Sequence, residues 1–512
     1  MQELHSPEQA AQWLRSHVTG TLKTDSRQVR AGDGFIAWPG AASDARAHVP
    51  AAVSQGASAC IVEKTGVSRY QFSSEKIASY GGLKAASGPI AAAYFEQPSS
   101  QLDVLAVTGT NGKTSTAWWL AQALSRLSSA RPCGLVGTLG MGRVAETGAP
   151  MAEIISTGLT TPDPVLFQHT LRRFVNEGLQ ACAVEASSIG VQERRLDGTR
   201  IHTAVFTNFT QDHLDYHGSM AEYWQAKAEL FDWPDLKAAV INLDDEQGAA
   251  LAETLAKTQT KKTLDLWTVS TQRAARLQAC DISLGSQGLR FTMSEGEESH
   301  VLQTALIGQF NVNNLLGVIA AMRTLGVPLG DAVVACTNLR SVPGRMELVN
   351  AGELQTQPLV VVDYAHTPDA LAKALQALRP MAAQRGGQLW CVFGCGGGRD
   401  ASKRPLMGAV AAKEADMVVV TSDNPRHEKP EAIISQILLG LEGDAQMNVQ
   451  ADRALAIAQT MAEARANDVV LIAGKGHEEY QEVAGVRHPF TDRLHAQLAL
   501  QRRVATQQGA HP

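Results

Sequence analysis

Cysteine is scarce in this chain, and its arrangement is not one that binds a metal or builds a disulfide framework. The 512 residues include seven cysteines, an odd number, and no two of them form a Cys-x-x-Cys pair. Disulfide-rich secreted domains and structural zinc sites depend on such patterns. We therefore expect neither, and we expect a reducing, cytoplasmic location.

Long apolar runs and an excess of positive charge are also lacking. No uninterrupted apolar segment approaches membrane-spanning length, and the first residues lack a basic stretch followed by an apolar one. The formal net charge is −6, whereas nucleic-acid-binding proteins usually carry a basic face. The sequence therefore argues against secretion, membrane insertion and nucleic-acid binding. Anionic ligands must be met by local lysines and arginines.

What is present is the composition of a soluble globular protein, with 44% apolar and 19% charged residues. The length favours about three domains, each with an ample core. Two breaks predict where they meet: Pro98 with two serines ends the first hundred residues, and a Pro343-Gly344 pair comes later. We therefore predict domains at 1–100, 101–342 and 343–512.

The most informative stretch is an apolar strand, a glycine turn and a helix start between Val104 and Ser115. Glycines let backbone N–H groups turn toward phosphate oxygens, the helix N-terminus attracts anions, Lys113 adds a full positive charge, and Thr114 can hold Mg²⁺. Only two residues separate Gly109 from Gly112, fewer than in a standard P-loop. The alternative is a tight turn without a ligand. A nucleotide-phosphate site is the stronger interpretation.

Apolar strands that end in polar residues recur along the chain. Glu185 ends one such strand, and Asn208 ends the next, before Asp212, His213, Asp215 and His217. Beyond residue 342, four near-continuous apolar strands alternate with helices, at 359–363, 389–393, 417–420 and 469–472. This pattern predicts an α/β fold whose parallel sheets are covered on both faces, with ligands at the carboxyl ends of strands.

Several residues in these segments also have a purely structural interpretation. Lys227 alone would be taken for a surface lysine on a helix spanning about 220–231, and Asn311 for the cap of the helix that follows it. Arg426 follows Pro425 and could belong to a helix-entry turn. The Gly396 to Gly398 run is weak evidence of dinucleotide binding, because the spacing is incomplete.

Taken in order, these motifs resemble those of the Mur ligases, over nearly the whole chain. The phosphate loop is also shared with folylpolyglutamate synthetases. The motifs that carry the resemblance are Thr108 to Thr114, Thr207-Asn208, Asp212 to Gly218, the Lys227 helix, Phe310 to Asn314, Pro343 to Glu347, Asp363 to Pro368 and Asp423 to Arg426. The last two favour the members that add the third amino acid of the peptide. The resemblance implies a three-domain architecture, with an N-terminal UDP-binding domain, a central P-loop ATPase domain and a C-terminal Rossmann-like parallel-sheet domain.

The resemblance also implies a reaction. The expected enzyme is an ATP-dependent ligase of peptidoglycan synthesis that adds meso-2,6-diaminopimelate to UDP-N-acetylmuramoyl-L-alanyl-D-glutamate through an acyl phosphate. It would use ATP, two Mg²⁺ ions and a CO₂-derived carbamate on Lys227, since a carbamate offers the oxygen ligands that Mg²⁺ prefers. Both substrates are small molecules, and a monomer is expected.

Site residues are carried over onto the matching positions. Lys113, Glu185, His213 and Lys227 would be catalytic, and Thr114, Glu185, His213 and Lys227 would hold the metals. ATP would be bound by Gly109, Thr110, Asn111, Gly112, Lys113, Thr114, Ser115, Asn311, Arg345 and His366. The UDP-substrate would be bound by Thr24, Ser26, Thr160, Thr161, Ser187, Glu193 and Arg195. Diaminopimelate would be bound by Arg399, Asp423, Asn424, Pro425, Arg426, Gly474 and Glu478.

Two positions depart from the family pattern. Relatives can have His-Gln where this chain has Ala41-Ala42 before Ser43, and glutamine where it has Glu193. These substitutions put side-chain contacts with the substrate in doubt at 41, 42 and 193, although backbone contacts can survive.

The identity of the added amino acid is inferred from the charge of one side chain. Meso-diaminopimelate differs from L-lysine by one carboxylate on the far carbon, and Arg426 is a cation suited to bind it through two parallel hydrogen bonds. Three alternatives remain: an L-lysine-adding Mur ligase, a folylpolyglutamate synthetase-like ligase, and a nucleotide-dependent switch protein. A GTPase switch would be expected to show an Asn-Lys-x-Asp motif, and the sequence has none.

Overall fold

The structure is a computed structural model that describes residues 1–40, 43–127, 131–144, 154–258, 264–285, 288–349, 357–441 and 446–509. The chain forms two compact units. The first comprises Met1–Phe209, Tyr216–Val269 and Gly317–Ala335, and the second comprises Thr210–Asp215, Ser270–Leu316 and Cys336–Pro512. In the described part of the chain, no helix has both the length and the apolar character needed to cross a membrane.

The first unit begins with a five-stranded parallel sheet. Its strands are β1 (Gln2–Leu4), β2 (Leu22–Lys23), β3 (Gly34–Ala37), β4 (Ala59–Glu63) and β5 (Ile77–Tyr80), in the order β1-β5-β4-β3-β2. The helices are α1 (Pro7–His17), α2 (Val49–Ser54) and α3 (Leu83–Tyr94). Trp13, Ile36, Ile61 and Ile90 belong to the apolar core against the sheet. Short buried strands alternating with helices produce the α/β layering.

A second sheet of the first unit carries the phosphate loop. Its strands are β6 (Asp103–Thr108), β7 (Cys133–Gly137), β8 (Gly140–Arg143), β9 (Ala181–Glu185), β10 (Thr203–Phe206), β11 (Ala238–Asn242) and β12 (Asp265–Ser270), in the order β12-β11-β10-β6-β9-β7-β8. All pair in parallel except β8 with β7. The helices of this part of the chain are α4 (Lys113–Ser125), α5 (Pro164–Asn176), α6 (Ser188–Gln192), α7 (Leu214–His217), α8 (Met220–Ala228) and α9 (Glu246–Thr258). The carboxyl ends of β6, β9 and β10 are therefore neighbours.

The second unit contains an antiparallel meander and a mostly parallel sheet. The meander is β13 (Leu277–Gly285), β14 (Gly288–Glu295) and β15 (Glu298–Thr304). Two helices, α10 (Phe310–Thr324) and α11 (Leu329–Thr337), follow along the chain. The sheet has the order β16-β17-β21-β18-β19-β20, with only β16 antiparallel. Its strands are β16 (Glu347–Val349), β17 (Leu359–Asp363), β18 (Leu389–Phe393), β19 (Met417–Val420), β20 (Gln446–Val449) and β21 (Val469–Ala473).

Helices connect these strands, and a hairpin and a last helix complete the unit. The helices are α12 (Pro368–Arg385), α13 (Lys403–Glu414), α14 (Pro430–Leu438), α15 (Arg453–Glu463) and α16 (Asp492–Gly509), and the hairpin is β22 (Tyr480–Val483) with β23 (Val486–Pro489). The four strand predictions for this region and the parallel α/β sheet are confirmed, because continuous Val, Ile and Leu runs mark strands buried on both faces.

Local chemistry explains where several elements begin and end. Ser6 and Thr367 cap α1 and α12, each accepting from a backbone N–H three residues on, and proline takes the first helical position after each cap. The predicted Lys227 helix is shorter than expected. It ends at Ala228, and a short 3-10 turn follows to Asp232. Trp233 precedes Pro234, which disfavours helical backbone at that point.

A buried ion pair ties the second unit together. The Arg453 Nε lies 2.7 Å from the Asp492 Oδ1, and both side chains are 0% exposed. The same guanidinium donates to the carbonyls of Ser422 and Ala473, at 3.2 and 2.9 Å. One arginine therefore links the ends of β19 and β21 to the start of α16.

Replacing Arg453 with methionine should destabilise the protein by about 3–5 kcal/mol, because it leaves the Asp492 carboxylate buried without its partner. Urea unfolding followed by circular dichroism measures the change. The matched control is Arg27→Met, which breaks an ion pair with Asp25 in which the arginine is 87% exposed, and it should leave the unfolding midpoint unchanged. Equal midpoints for both variants would contradict a structural role for the buried pair.

Candidate active site

The loop between β6 and α4 is shaped by two glycines with positive φ. Gly109 has a φ of 144° and Gly112 a φ of 85°. A Cβ on Gly109 would lie 1.9 Å from the Thr207 Oγ1, so no larger residue fits there. Helix α4 begins at Lys113, directly after the loop. Because the first N–H groups of a helix have no partner within the helix, this turn is suited to bind phosphate.

The end of β10 holds the loop in place. The N–H of Thr110 donates to the Asn208 carbonyl at 2.8 Å, and the N–H of Asn111 donates to the Asn208 Oδ1 at 2.9 Å. The Thr207 Oγ1 donates to the Asn111 carbonyl at 2.6 Å. The sequence marks Thr207 and Asn208 as a motif, but their support of the loop emerges only from the structure.

Lys113 folds back over the loop that precedes it. Its Nζ donates to the Gly109 carbonyl at 2.9 Å and to the Thr110 carbonyl at 2.8 Å. A positive charge is therefore fixed beside the backbone turn, where the phosphates of a nucleotide need it.

Glu185 lies buried beside the start of α4. Its Oε2 accepts a hydrogen bond from the Thr114 Oγ1 at 2.9 Å, and its Oε1 accepts from the N–H of Thr138 at 2.7 Å. The Thr138 Oγ1 lies 3.1 Å from the Thr160 Oγ1. Sequence reasoning missed Thr138, because nothing in its local pattern distinguishes it from an ordinary turn threonine.

The Thr114 hydroxyl and the Glu185 carboxylate fit Mg²⁺, which prefers hard oxygen ligands. Among the described residues, no three His, Cys, Asp or Glu side chains come together as a metal-binding group. A cation at this position would therefore depend on other oxygen ligands, including hydroxyl groups.

Lys227 lies in the interior beside the same loop. Its side chain belongs to a residue that is 1% exposed, and its Nζ donates to the Gly109 carbonyl at 2.8 Å. The Nζ also lies 4.3 Å from the centre of the Tyr223 ring, whose hydroxyl is 3.1 Å from the Thr110 Oγ1. The structure therefore excludes the alternative of a solvated surface lysine.

The residues predicted for the muramoyl-peptide part lie together at the start of α6. The Thr161 Oγ1 donates to the Glu185 carbonyl at 2.8 Å and lies 2.9 Å from the Ser187 Oγ. Ser187 caps α6, and Arg195 donates to the Thr161 carbonyl at 2.8 Å. This group is thus connected through Glu185 to the phosphate loop.

Glu193 is engaged by two other side chains. Its Oε2 lies 2.8 Å from the Lys84 Nζ, and its Oε1 accepts from the Tyr216 hydroxyl at 2.8 Å. Burial favours a higher pKa for Glu193, but these hydrogen bonds outweigh it and hold the pKa below its usual value. Burial and the bond to Glu193 raise the pKa of Tyr216 to about 12.

Thr24 and Ser26 precede β3, and Thr24 contacts the residue that starts α5. The Thr24 side chain helps to lower the pKa of Asp163, which caps α5. Burial raises the pKa of Asp163, and the bonds from Leu166 N–H and Thr24 oppose that rise. Ser26 begins a 3-10 turn capped by Asp25. Residues 41 and 42, where the sequence departs from the family pattern, lie outside the described residues.

Four of the predicted nucleotide and metal residues belong to the second unit: His213, Asn311, Arg345 and His366. His213 has a φ of 53°, and its Nε2 lies 3.5 Å from the Asp212 Oδ2. Asn311 donates to the Ile307 carbonyl at 2.7 Å from its side chain. Its amide thus acts as a donor to the preceding loop.

Arg345 and His366 both contact Tyr364. The Arg345 guanidinium lies 4.3 Å from the centre of the Tyr364 ring, and the His366 Nδ1 lies 2.8 Å from the Tyr364 carbonyl oxygen. Burial, reinforced by the nearby Lys403, lowers the pKa of His366 to about 4. The imidazole is therefore neutral at neutral pH and can exchange hydrogen bonds with an uncharged base.

A charged cluster occupies the carboxyl ends of β18, β19 and β21. The buried Asp423 has an Oδ1 that makes no hydrogen bond, although the Lys475 Nζ is 3.6 Å away. Asn424 donates to the Glu478 Oε2 at 2.7 Å. Gly474, with a φ of 116°, would bring a Cβ to 3.5 Å from the Asp423 Oδ2. The buried Asp423 Oδ1 therefore faces the Lys475 ammonium at ion-pair distance.

Arg426 follows Asn424 and Pro425 in the same segment. It has a φ of 53°, its Nη1 donates to the Gly397 carbonyl at 2.8 Å, and its Nε lies 3.8 Å from the Glu482 Oε2. Pro425 is buried and Arg399 is exposed. A role in the turn alone does not explain why the Arg426 guanidinium hydrogen-bonds the Gly397 carbonyl.

Two family descriptions match the chain. The Mur ligase middle domain matches residues 107–322, and the Mur ligase, glutamate ligase domain matches residues 344–476. The chain is 61% identical to a protein of Acidovorax sp. (strain JS42) named UDP-N-acetylmuramoyl-L-alanyl-D-glutamate--2,6-diaminopimelate ligase, with 97% of each chain covered. It is 45% identical to the protein of that name from Pseudomonas aeruginosa, with 94% of each covered.

Solved structures show the same fold. A structure with the same ligase name is 34% identical and has a TM-score of 0.65, with 94% of this chain and 95% of that chain covered. A folylpolyglutamate synthase from Mycobacterium tuberculosis, complexed with ADP and AMPPCP, has a TM-score of 0.59 at 18% identity and covers 76% of this chain and 92% of its own. The second likeness concerns the fold alone.

Proposed function

The chain belongs to the Mur ligase family, and on that premise we propose that it adds meso-diaminopimelate to UDP-N-acetylmuramoyl-L-alanyl-D-glutamate in peptidoglycan synthesis. Mur ligases form their peptide bonds with ATP. The observation that carries the choice of amino acid is the cluster of Asp423, Glu478 and Arg426, which presents carboxylates and a guanidinium close together. L-lysine also carries ammonium and carboxylate groups, so the guanidinium is the discriminating feature: only diaminopimelate has a second carboxylate for it to bind.

The reaction needs an activated acyl group, because a carboxylate has oxide as its leaving group. The D-glutamyl carboxylate attacks the γ-phosphorus of ATP, which breaks the bond to ADP and gives an acyl phosphate. The amine of the amino acid then attacks the carbonyl carbon, phosphate leaves and the nitrogen loses a proton. Both steps concentrate negative charge, so catalysis rests on positioned positive charge.

The chain's own residues would supply that charge and position. The loop from Gly109 to Gly112 and the N-terminus of α4 would bind the phosphates, with the Lys113 ammonium beside them. Thr114 and Glu185 would hold one Mg²⁺, and His213 would contribute to a second. When bound, Mg²⁺ offsets charge on the phosphate oxygens. Ser115, Asn311, Arg345 and His366 would complete the ATP site.

We further propose that Lys227 is carbamylated. An unprotonated Lys227 amine would attack CO₂ and release a proton, which gives a carbamate anion. Two observations support this: the side chain is buried, where an ammonium is costly, and it lies beside Gly109 in the phosphate loop. The anion would add oxygen ligands beside the phosphate loop, where the metals are proposed to bind.

The UDP-substrate would lie along Thr24, Ser26, Thr160, Thr161, Ser187 and Arg195. Glu193 would act indirectly, since its carboxylate is already bound by Lys84 and Tyr216. We also propose domain boundaries at 100 and 342, a monomer, and a cytoplasmic location, where both small-molecule substrates would be encountered.

The remaining alternatives differ in what they require. The nucleotide-switch hypothesis is wrong, because the family consists of ligases. An L-lysine-adding enzyme would not need a cation at Arg426, and a folylpolyglutamate synthetase would not require a UDP-linked acceptor.

The proposal is tested by ADP release from ATP with each substrate omitted in turn. ADP should form at a full rate only when both the UDP-muramoyl dipeptide and meso-diaminopimelate are present. A parallel reaction with a folate and glutamate serves as the control and should release no ADP. Nucleotide turnover that is indifferent to both substrates would refute the ligase assignment.

A further inference from the structure

Lys475 is a buried cation at the centre of the cluster proposed to bind diaminopimelate. Its side chain is 0% exposed. The Nζ donates to the Asn424 Oδ1 at 3.0 Å and to the Glu478 Oε2 at 3.0 Å, and it lies 3.6 Å from the Asp423 Oδ1. Because the ammonium is enclosed by these three side chains, Lys475 acts through them and does not reach a ligand itself.

The same contacts orient both carboxylates of the cluster. The Glu478 Oε2 accepts from Lys475 and Asn424, and the Asp423 Oδ1, which makes no hydrogen bond, faces the Lys475 ammonium at 3.6 Å. Lys475 therefore fixes one oxygen of each carboxylate and so positions both side chains.

Lys475 also sets the net charge of the cluster. Asp423 and Glu478 contribute two negative charges, and Lys475 and Arg426 contribute two positive charges. Glu482 adds a third negative charge, 3.8 Å from Arg426 and 3.9 Å from Arg487, whose side chain is mostly exposed. The buried and half-buried groups are thus three carboxylates and two cations, and the Lys475 ammonium holds the excess to one negative charge.

The two competing amino acids differ in net charge. At neutral pH meso-diaminopimelate has two ammonium and two carboxylate groups and is neutral overall, whereas L-lysine has one carboxylate fewer and carries a net positive charge. A neutral site gives a cation no advantage, while a site with an excess negative charge attracts it. Loss of the Lys475 charge would increase that excess from one negative charge to two.

Building on the proposed ligase activity, we infer that Lys475 is a specificity-determining positioning residue. It holds Asn424, Glu478 and Asp423 in place, and its charge limits the excess negative charge of the site, which limits the electrostatic advantage of L-lysine over diaminopimelate. Arg426 recognises the extra carboxylate, and Lys475 weakens the long-range preference for the wrong substrate.

The test compares kcat/KM for meso-diaminopimelate and for L-lysine in wild type, Lys475→Met and Glu478→Gln. Lys475→Met leaves the site with an excess negative charge, and the ratio of diaminopimelate to lysine should fall roughly tenfold. Glu478→Gln removes the excess negative charge, and the ratio should rise. Both substrates share the distal ammonium, so a lost contact with Glu478 cancels in the ratio.

The matched control is Lys413→Met, which removes a lysine charge from a side chain that is 81% exposed in α13. It should leave the ratio unchanged, and the KM for ATP should stay constant in all three variants. A purely structural role for Lys475 would not move the ratio in opposite directions in the two test variants.

The outcomes separate the two proposals. If wild type uses neither amino acid, the proposed ligase function is wrong and the inference falls with it. If wild type selects diaminopimelate and Lys475→Met keeps the same ratio, only the role of Lys475 is overturned. If Lys475→Met does not fold, Glu478→Gln decides alone, and an unchanged or lowered ratio overturns the inference.

Discussion

Replacing Lys227 with alanine should lower kcat by about a hundredfold or more, which is the scale of losing one preorganised electrostatic group. Lys227 is buried beside Gly109 of the phosphate loop, so its loss acts where charge develops during phosphoryl transfer. Steady-state ADP release with both substrates present measures the effect. Lys413→Ala, a helix lysine exposed to solvent, is the control and should retain full activity.

The carbamate makes a sharper claim about the same residue. If a carboxylate-like group stands at the end of the side chain, added formate or acetate should partly restore Lys227→Ala by occupying the vacated position. A readout independent of activity is available: wild type equilibrated with ¹³C-labelled CO₂ should show a carbamate carbon signal by NMR that Lys227→Ala lacks. Full activity in the alanine variant, or the same signal in both proteins, would remove the carbamate from the mechanism.

Replacing Arg426 with alanine should abolish the preference for meso-diaminopimelate over L-lysine. The site pairs a guanidinium with the far carboxylate, and binding lysine leaves that guanidinium without its partner. The loss is about 2–5 kcal/mol where water is excluded, so wild type should favour diaminopimelate by at least tens-fold. The comparison of kcat/KM for the two amino acids, in wild type and variant, measures it.

Two further variants give this experiment its controls. Arg426→Lys keeps the charge but not the bidentate geometry, and it should retain only part of the discrimination. Arg487→Ala removes a cation near the same Glu482 carboxylate. Because the Arg487 side chain is mostly exposed, this variant should retain nearly all of the discrimination between the two amino acids. Alanine at 426 keeps a Cβ at the same positive φ, so the backbone preference hardly changes. Equal wild-type efficiency with both amino acids, or preserved discrimination in Arg426→Ala, would refute the assignment.

Much of the fold can be predicted from local sequence patterns. Continuous apolar runs predicted the strands at 359–363 and 389–393, and the caps at Ser6 and Thr367 show how local chemistry starts two helices. These predictions succeed because strand burial and helix capping depend on residues within a few positions of each other. The helix predicted over about 220–231 is α-helical to Ala228 and continues as a 3-10 turn to Asp232.

The candidate site divides in a similar way. Sequence alone determined the phosphate loop with Lys113 and Thr114, because glycine spacing and a helix start are properties of one continuous segment. It also marked Glu185 and Arg426 as candidates. The ligand-binding and catalytic roles of these residues stay predictions that experiments can test.

Only the tertiary structure decided how distant residues meet. Thr207 and Asn208 form hydrogen bonds with a loop almost a hundred positions earlier in the chain. Lys227 is buried against Gly109, and Lys475 lies between Asp423 and Glu478. A sequence lists such residues without their separations, and a lysine on a helix or after a strand looks the same whether it is solvated or enclosed. Burial and charge pairing arise from packing of strands that are far apart in the chain, so their energetic consequences can be read only where the sheet brings those strands together.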